Sequence, residues 1–255
     1  MSTWRLEVLR LVRTRRIIAL VAVFLVLGLG LPVLTYYLPQ IVKGRANGIT
    51  IIAPPATPYD AIHGFASNAG QLGTLVVTLV AAANLAIDAN PGLAAFYRSR
   101  IQRPVLLVLP RYAAVTAASV ATLALGTLAA WYETRTVIGA VSFGPLLAGF
   151  ALEALWLCFV TSVVALAAGM VRSVTAIVGY SIVFLLALSL IQSLPEANSW
   201  LPTRLSGGVS ALVGQPFGDT WHAVVITGIF AVAALAGALK LFGSRDVARL
   251  SGRAH

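Results

Sequence analysis

Charge is what this sequence has least of. Only 10% of its 255 residues are charged, whereas a soluble domain carries about 25%. Such a chain cannot cover itself in water, so the bilayer becomes its expected solvent. One cysteine, Cys158, excludes an internal disulfide and a cysteine metal cluster. The only lysines are Lys43, followed by Gly44, and Lys240, followed by Leu241. A phosphate-binding loop needs Gly-Lys followed by Ser or Thr, so this chain cannot form that ATP site. The histidines His63, His222 and His255 are scattered, which excludes the paired-histidine helix of a zinc protease. The stretch Gly208-Val209-Ser210-Ala211-Leu212 lacks the second glycine of a nucleophile elbow, so Ser210 reads as a loop serine.

Hydrophobic residues make up 59% of the chain, and its mean hydropathy is +0.90. A bilayer core takes about 20 apolar residues per helix. Six stretches meet that length: residues 17–38, 69–88, 105–131, 146–169, 174–194 and 221–241. The predicted fold is therefore all-α: a polytopic membrane protein with six transmembrane helices. One domain covers residues 1–255, made of an N-terminal amphipathic helix (1–16), the membrane bundle (17–241) and a tail (242–255). The first stretch exceeds a signal-peptide core and lacks a small-residue cleavage site after Tyr36-Tyr37-Leu38, so it reads as a retained anchor.

The formal charge of +10 does not point to nucleic acid, because the basic residues sit in short runs between apolar stretches. One set of connections holds 14 Lys and Arg, among them Arg5, Arg16, Arg98, Arg111, Arg172 and Arg253, and the other set holds 4. By the positive-inside rule the richer side is cytoplasmic, and an even number of spans puts both termini there. The Ala- and Arg-rich, Lys-poor usage fits a bacterial plasma membrane.

Before the first span, Trp4, Val8, Leu11 and Val12 share one helical face, with Arg10 and Arg13 opposite. This pattern suits a helix lying in the cytoplasmic interface. The connections 39–67 and 195–220 are longer than a turn needs and partly apolar. They are expected to dip into the outer leaflet or cap the bundle.

Polar residues inside the spans are few. On the second, Ser67, Gln71, Thr74 and Thr78 fall within about 60° of arc at roughly 100° per residue. On the fifth, Ser181, Ser189 and Gln192 form a looser stripe, about 80° wide by the same count. Such stripes either join helices by hydrogen bonds or line a path for a polar or amphipathic solute. Glu153 lies inside the fourth span, where an ionised side chain is costly. It reads either as a polar point on a substrate or proton path or as a structural hydrogen bond.

Residues 90–103 form the largest basic loop. Pro91 can start a short helix, and Leu93, Phe96 and Tyr97 follow as an apolar ridge beside Arg98, Arg100 and Arg103. That ridge reads either as part of a topogenic loop or as a helix docking into a groove on a cytoplasmic partner.

Asp88, then Pro91-Gly92-Leu93, then Arg98-Ser99-Arg100-Ile101-Gln102-Arg103-Pro104, with Trp200-Leu201-Pro202 before the last span, resembles the pattern of the ABC-2 type permeases, the membrane subunits of ATP-binding-cassette exporters. The family carries longer acidic stretches in this region; here only Asp88 stands there. The resemblance implies a transport subunit that catalyses no chemistry itself. It also implies a separate ATPase subunit carrying ATP and Mg, docked on residues 90–103, and a second permease subunit as homodimer or heterodimer. Gln71, Thr74, Thr78, Glu153, Ser181, Ser189 and Gln192 are then the candidate pathway. The competing readings are a secondary transporter or an intramembrane enzyme using Glu153. No motif separates drugs, lipids, peptides and glycans as cargo.

Overall fold

The computed structural model describes residues 3–45, 55–89, 92, 104–192, 200–210 and 220–251. All regular elements among them are helical. The helices are α1 (Thr3–Arg13), α2 (Arg16–Arg45), α3 (Pro58–Asn68), α4 (Thr74–Leu85), α5 (Pro104–Val137), α6 (Phe143–Met170), α7 (Val174–Gln192) and α8 (Thr220–Ser251). A π-helical turn, Ala69–Gly73, joins α3 to α4, so the two make one continuous rod. Six rods are long and apolar enough to cross a membrane. The chain is an all-α, multi-pass membrane protein.

Several rods are longer than hydropathy suggested; the third runs on to Val137, and the last runs to Ser251, through most of the predicted tail. The first continues to Arg45 through Pro32 and Pro39. The second begins at Pro58, eleven residues ahead of the predicted start at Ala69. Local chemistry explains that start. Thr57 Oγ1 accepts the Asp60 amide at 3.2 Å, Asp60 Oδ2 accepts the Thr57 amide at 3.0 Å, and Pro58 occupies the first helical position. This reciprocal cap satisfies two orphan donors at once. A search for unbroken apolar runs misses it, because Tyr59, Asp60 and His63 interrupt the run.

The core lies along α6, which packs against α4, α5, α7 and α8. Its buried face holds Leu152, Trp156, Leu157, Val160, Val164 and Ala168. Between apolar helices in lipid there is little hydrophobic drive, so close packing and hydrogen bonds hold them together. Both are present. Tyr112 Oη lies 2.9 Å from Ser162 Oγ, and Thr116 Oγ1 lies 2.9 Å from Thr161 Oγ1, tying α5 to α6. Helix α2 crosses α5 where Gly28 meets Gly126; a Cβ on Gly126 would lie 2.7 Å from the Phe24 carbonyl oxygen.

Helix α1 turns into α2 at Arg15, whose φ of 57° is left-handed. Leu11 is buried against the bundle, while Val12 is exposed together with Leu6 and Leu9. The bundle side is centred on Glu7 and Leu11, because Glu7 is held there by an ion pair described below. The side chains of Trp4 and Val8 lie outside the described residues.

Candidate functional site

Helices α4 and α7, with α6 behind them, enclose a cavity of about 510 Å³. Gln71, Thr74 and Thr78 line it from the second span, Ser189 and Gln192 from α7. Trp156 forms part of the wall from α6, and Thr203 and Ser206 contribute from the segment that follows α7. Five of the seven pathway residues named from sequence thus meet at one site. They come from two spans separated by about a hundred residues of chain, and their meeting is a tertiary fact.

The predicted stripe is modified at one end. Ser67 does not line the cavity, whereas Gln71, Thr74 and Thr78 do. The π-helical turn at Ala69–Gly73 lies between them. Its wider turn rotates everything before it out of register with an ideal α-helix. On the cavity wall Trp156 Nε1 donates to Thr74 Oγ1 at 2.8 Å, and Thr78 Oγ1 donates to the Thr74 carbonyl at 2.8 Å.

Ser181 and Glu153 stand apart. Ser181 is buried but donates to the Ile177 carbonyl of its own helix at 2.8 Å, and is not a lining residue. Glu153 is not a lining residue; it sits in a junction with the segment 202–210. There Glu153 Oε2 accepts the Gly208 amide at 2.9 Å. The junction is tight. A Cβ on Gly149 would lie 2.6 Å from both the Gly208 carbonyl oxygen and the Val209 Cα, and one on Gly70 would lie 2.5 Å from Ser206 Oγ. Gly207 turns the chain with a φ of +77°. Leu205 and Val209 are fully buried. The expectation that this connection caps the bundle holds for these residues. Of the two readings of Glu153, the geometry matches the hydrogen bond, here to a backbone amide rather than to a neighbouring helix. A lone Glu in an apolar run signals only that some partner exists, not which.

The opposite end of the bundle carries a second polar junction that the sequence did not announce. Arg111, counted among the loop charges, lies inside α5 and is 1% exposed. Its Nε donates to Glu7 Oε1 at 3.1 Å, and its carbonyl oxygen accepts from Asn84 Nδ2 at 3.3 Å. Arg10 Nη1 lies 3.8 Å from Glu7 Oε2. Removing one partner of a buried ion pair is costly, since the other charge is stranded. Glu7 therefore pins α1 to α5. The signal was available in part: Glu7 is the one acid of the N-terminal helix, and it falls on the side away from Arg13.

Leu93, Phe96, Tyr97, Arg98, Arg100 and Arg103 lie outside the described residues. Among the described residues no three His, Cys, Asp or Glu side chains come together as a metal ion would need.

No family model matches the chain, and no solved structure matches it. Over 197 residues, 76% of each chain, it is 24% identical to the "uncharacterized transmembrane protein YxlG" of Bacillus subtilis (strain 168). Geometry and comparison agree on one class: a multi-pass helical membrane protein, similar over most of its length to a bacterial transmembrane protein.

Proposed function

We propose that this chain is the permease subunit of an ATP-driven exporter of the ABC-2 type, with α1 and both termini in the cytoplasm of a bacterial cell. A second permease subunit pairs with it in the plasma membrane, and a separate ATPase subunit supplies ATP hydrolysis. The observation that carries this reading is the cavity. Five uncharged polar side chains from two spans converge on one space, which joining helices alone does not require. The resemblance of residues 88–104 to a coupling loop supports it independently. The ion pair from Glu7 to Arg111 fits the same scheme, because it links the N-terminal helix to the span that begins directly after that loop. Closure of the ATPase subunits moves residues 90–103, and α5 passes the motion to the bundle.

The test is docking. Leu93, Phe96 and Tyr97 insert into a groove on the ATPase, since an apolar ridge in a loop stays exposed only if it binds protein or membrane. Phe96→Ala with Tyr97→Ala is expected to release the ATPase subunit, while the permease still folds and inserts. Co-purification of the double variant with that ATPase at wild-type stoichiometry, with transport still coupled, overturns the docking role.

A further inference from the structure

The cavity between α4 and α7 carries most of its polar side chains at one end and is mostly apolar toward the other. Successive spans run in opposite directions, so Gln71, at the middle of the longer second rod, shares one level with Ser189 and Gln192 near the end of the shorter α7. Thr203 and Ser206 close that level from the following segment. Further along the rods the walls are Leu75, Trp156, Ile182 and Leu186, with Thr74 and Thr78, whose hydroxyls are engaged with the Trp156 indole and the Thr74 carbonyl. From Ile182 to Gln192 the helix rises about 15 Å at 1.5 Å per residue.

Three observations restrict what fits. Among the described residues no Lys, Arg, Asp, Glu or His lines the space. An ion would enter it without a counter-charge, and a buried unpaired charge is strongly disfavoured. Second, Thr203 is 5% exposed on this wall, and its hydroxyl has no hydrogen-bond partner among the described residues. A buried hydroxyl without a partner is uncommon in a native structure, and a ligand head reaching this wall would supply one. Third, Leu72 and Leu75 on one side and Leu186 and Leu190 on the other are exposed. The apolar end therefore continues onto a surface that lipid chains would cover.

We propose that this cavity binds an uncharged, single-chain amphiphile. Its hydroxyl- or amide-bearing head sits among Gln71, Ser189, Gln192 and Thr203, and its chain lies along Leu75, Trp156 and Leu186. The volume of about 510 Å³ lies within the roughly 300–1,000 Å³ of small-molecule sites. As the cargo of an exporter this ligand rests on the permease reading above; as a ligand it does not. The head is held by hydrogen bonds from neutral groups, so it enters without losing a counter-ion. The chain enters sideways between α4 and α7.

Trp156 provides the readout, because bromine quenches indole fluorescence only at close range. The full chain in phosphatidylcholine nanodiscs is titrated with a monoacylglycerol brominated at mid-chain. Parallel titrations use an alkyl sulfate and an alkyl trimethylammonium brominated at the same position. The monoacylglycerol is expected to give saturable quenching that Trp156→Phe abolishes. Thr203→Val and Ser189→Ala are each expected to weaken it at least 5-fold, and both charged probes to bind at least 10-fold more weakly. Ser189 is exposed, so its variant tests the head site even where Thr203→Val fails to fold. Quenching that rises linearly with probe, that survives in Trp156→Phe, or that is equal for the charged probes overturns the proposal. So does saturation that depends on protein concentration, which marks a second copy covering the groove. The assay contains neither ATP nor partner, so its failure removes the ligand and leaves the permease reading to the docking test.

Discussion

Helices α6 and α8 are nearly alike in the hydropathy of their membrane windows and opposite in fate. Their most apolar windows have mean hydropathies of 2.1 and 2.2, yet 67% of the first window is buried and 11% of the second. Hydropathy reports which segments leave water. It does not report which segments then leave lipid, because acyl chains and leucine side chains are equally apolar. What sets α6 apart is a few positions. Gly149 lets the segment 202–210 reach its backbone, Glu153 bonds Gly208, and Thr161 and Ser162 meet α5. In α8, Thr227 spends its hydroxyl on its own helix, at the Ala223 carbonyl. A Cβ on Gly228 would meet nothing within 4 Å.

The comparison is broken most forcefully at Gly149. Gly149→Val places atoms where the Gly208 carbonyl and Val209 already lie, and is expected to cost about 3 kcal/mol, the upper range for overpacking. The same change at Gly228 is expected to stay within about 0.5 kcal/mol, as surface substitutions do. Unfolding of both variants in mixed micelles checks the pair; equal stabilities would mean that the segment 202–210 does not grip α6. Next comes Glu153. Glu153→Leu strands the Gly208 amide and is expected to cost about 2 kcal/mol, the usual penalty for an unmade buried hydrogen bond. Glu153→Gln keeps an acceptor oxygen and is expected to lose less than half as much. If Gln proves as damaging as Leu, in stability or in transport, the carboxyl does more than accept one bond, and the proton-path reading regains ground. The smallest effect is expected at the α5–α6 seam. A double-mutant cycle of Thr116→Val with Thr161→Val is expected to return a coupling of about 0.6 kcal/mol, the average for such bonds between membrane helices. A coupling near zero would leave close packing as the whole of that contact.

The two polar junctions show how far the sequence could be read. Glu153 was visible as an oddity because an acid in an apolar run has few innocent explanations. Its partner was not visible, because the Gly208 amide lies 55 residues away and belongs to a backbone group that every residue has. Arg111 was misplaced for the converse reason. It stands close to the basic loop in sequence, and charge counting assigned it there. Only the approach of Glu7, 104 residues earlier, shows that it is a buried member of the bundle. The start of the second rod at Pro58 was missed because caps and prolines act through backbone amides, and hydropathy does not weigh them.

By itself the sequence determined that the chain leaves water, that it does so in six helical rods, and that the second and fifth each carry a polar stripe. These follow from composition and from the 3.6-residue period, which are local properties. Tertiary structure alone decided that the two faces enclose one cavity, with Thr203 and Ser206 closing it. It also decided that Ser67 and Ser181 are left out and that Glu153 serves the segment 202–210. The physical reason is common to all of these. In a bilayer, helices choose neighbours by close contact and by satisfying scarce polar groups. Both are settled by atoms that lie far apart in the chain and within about 3 Å in space.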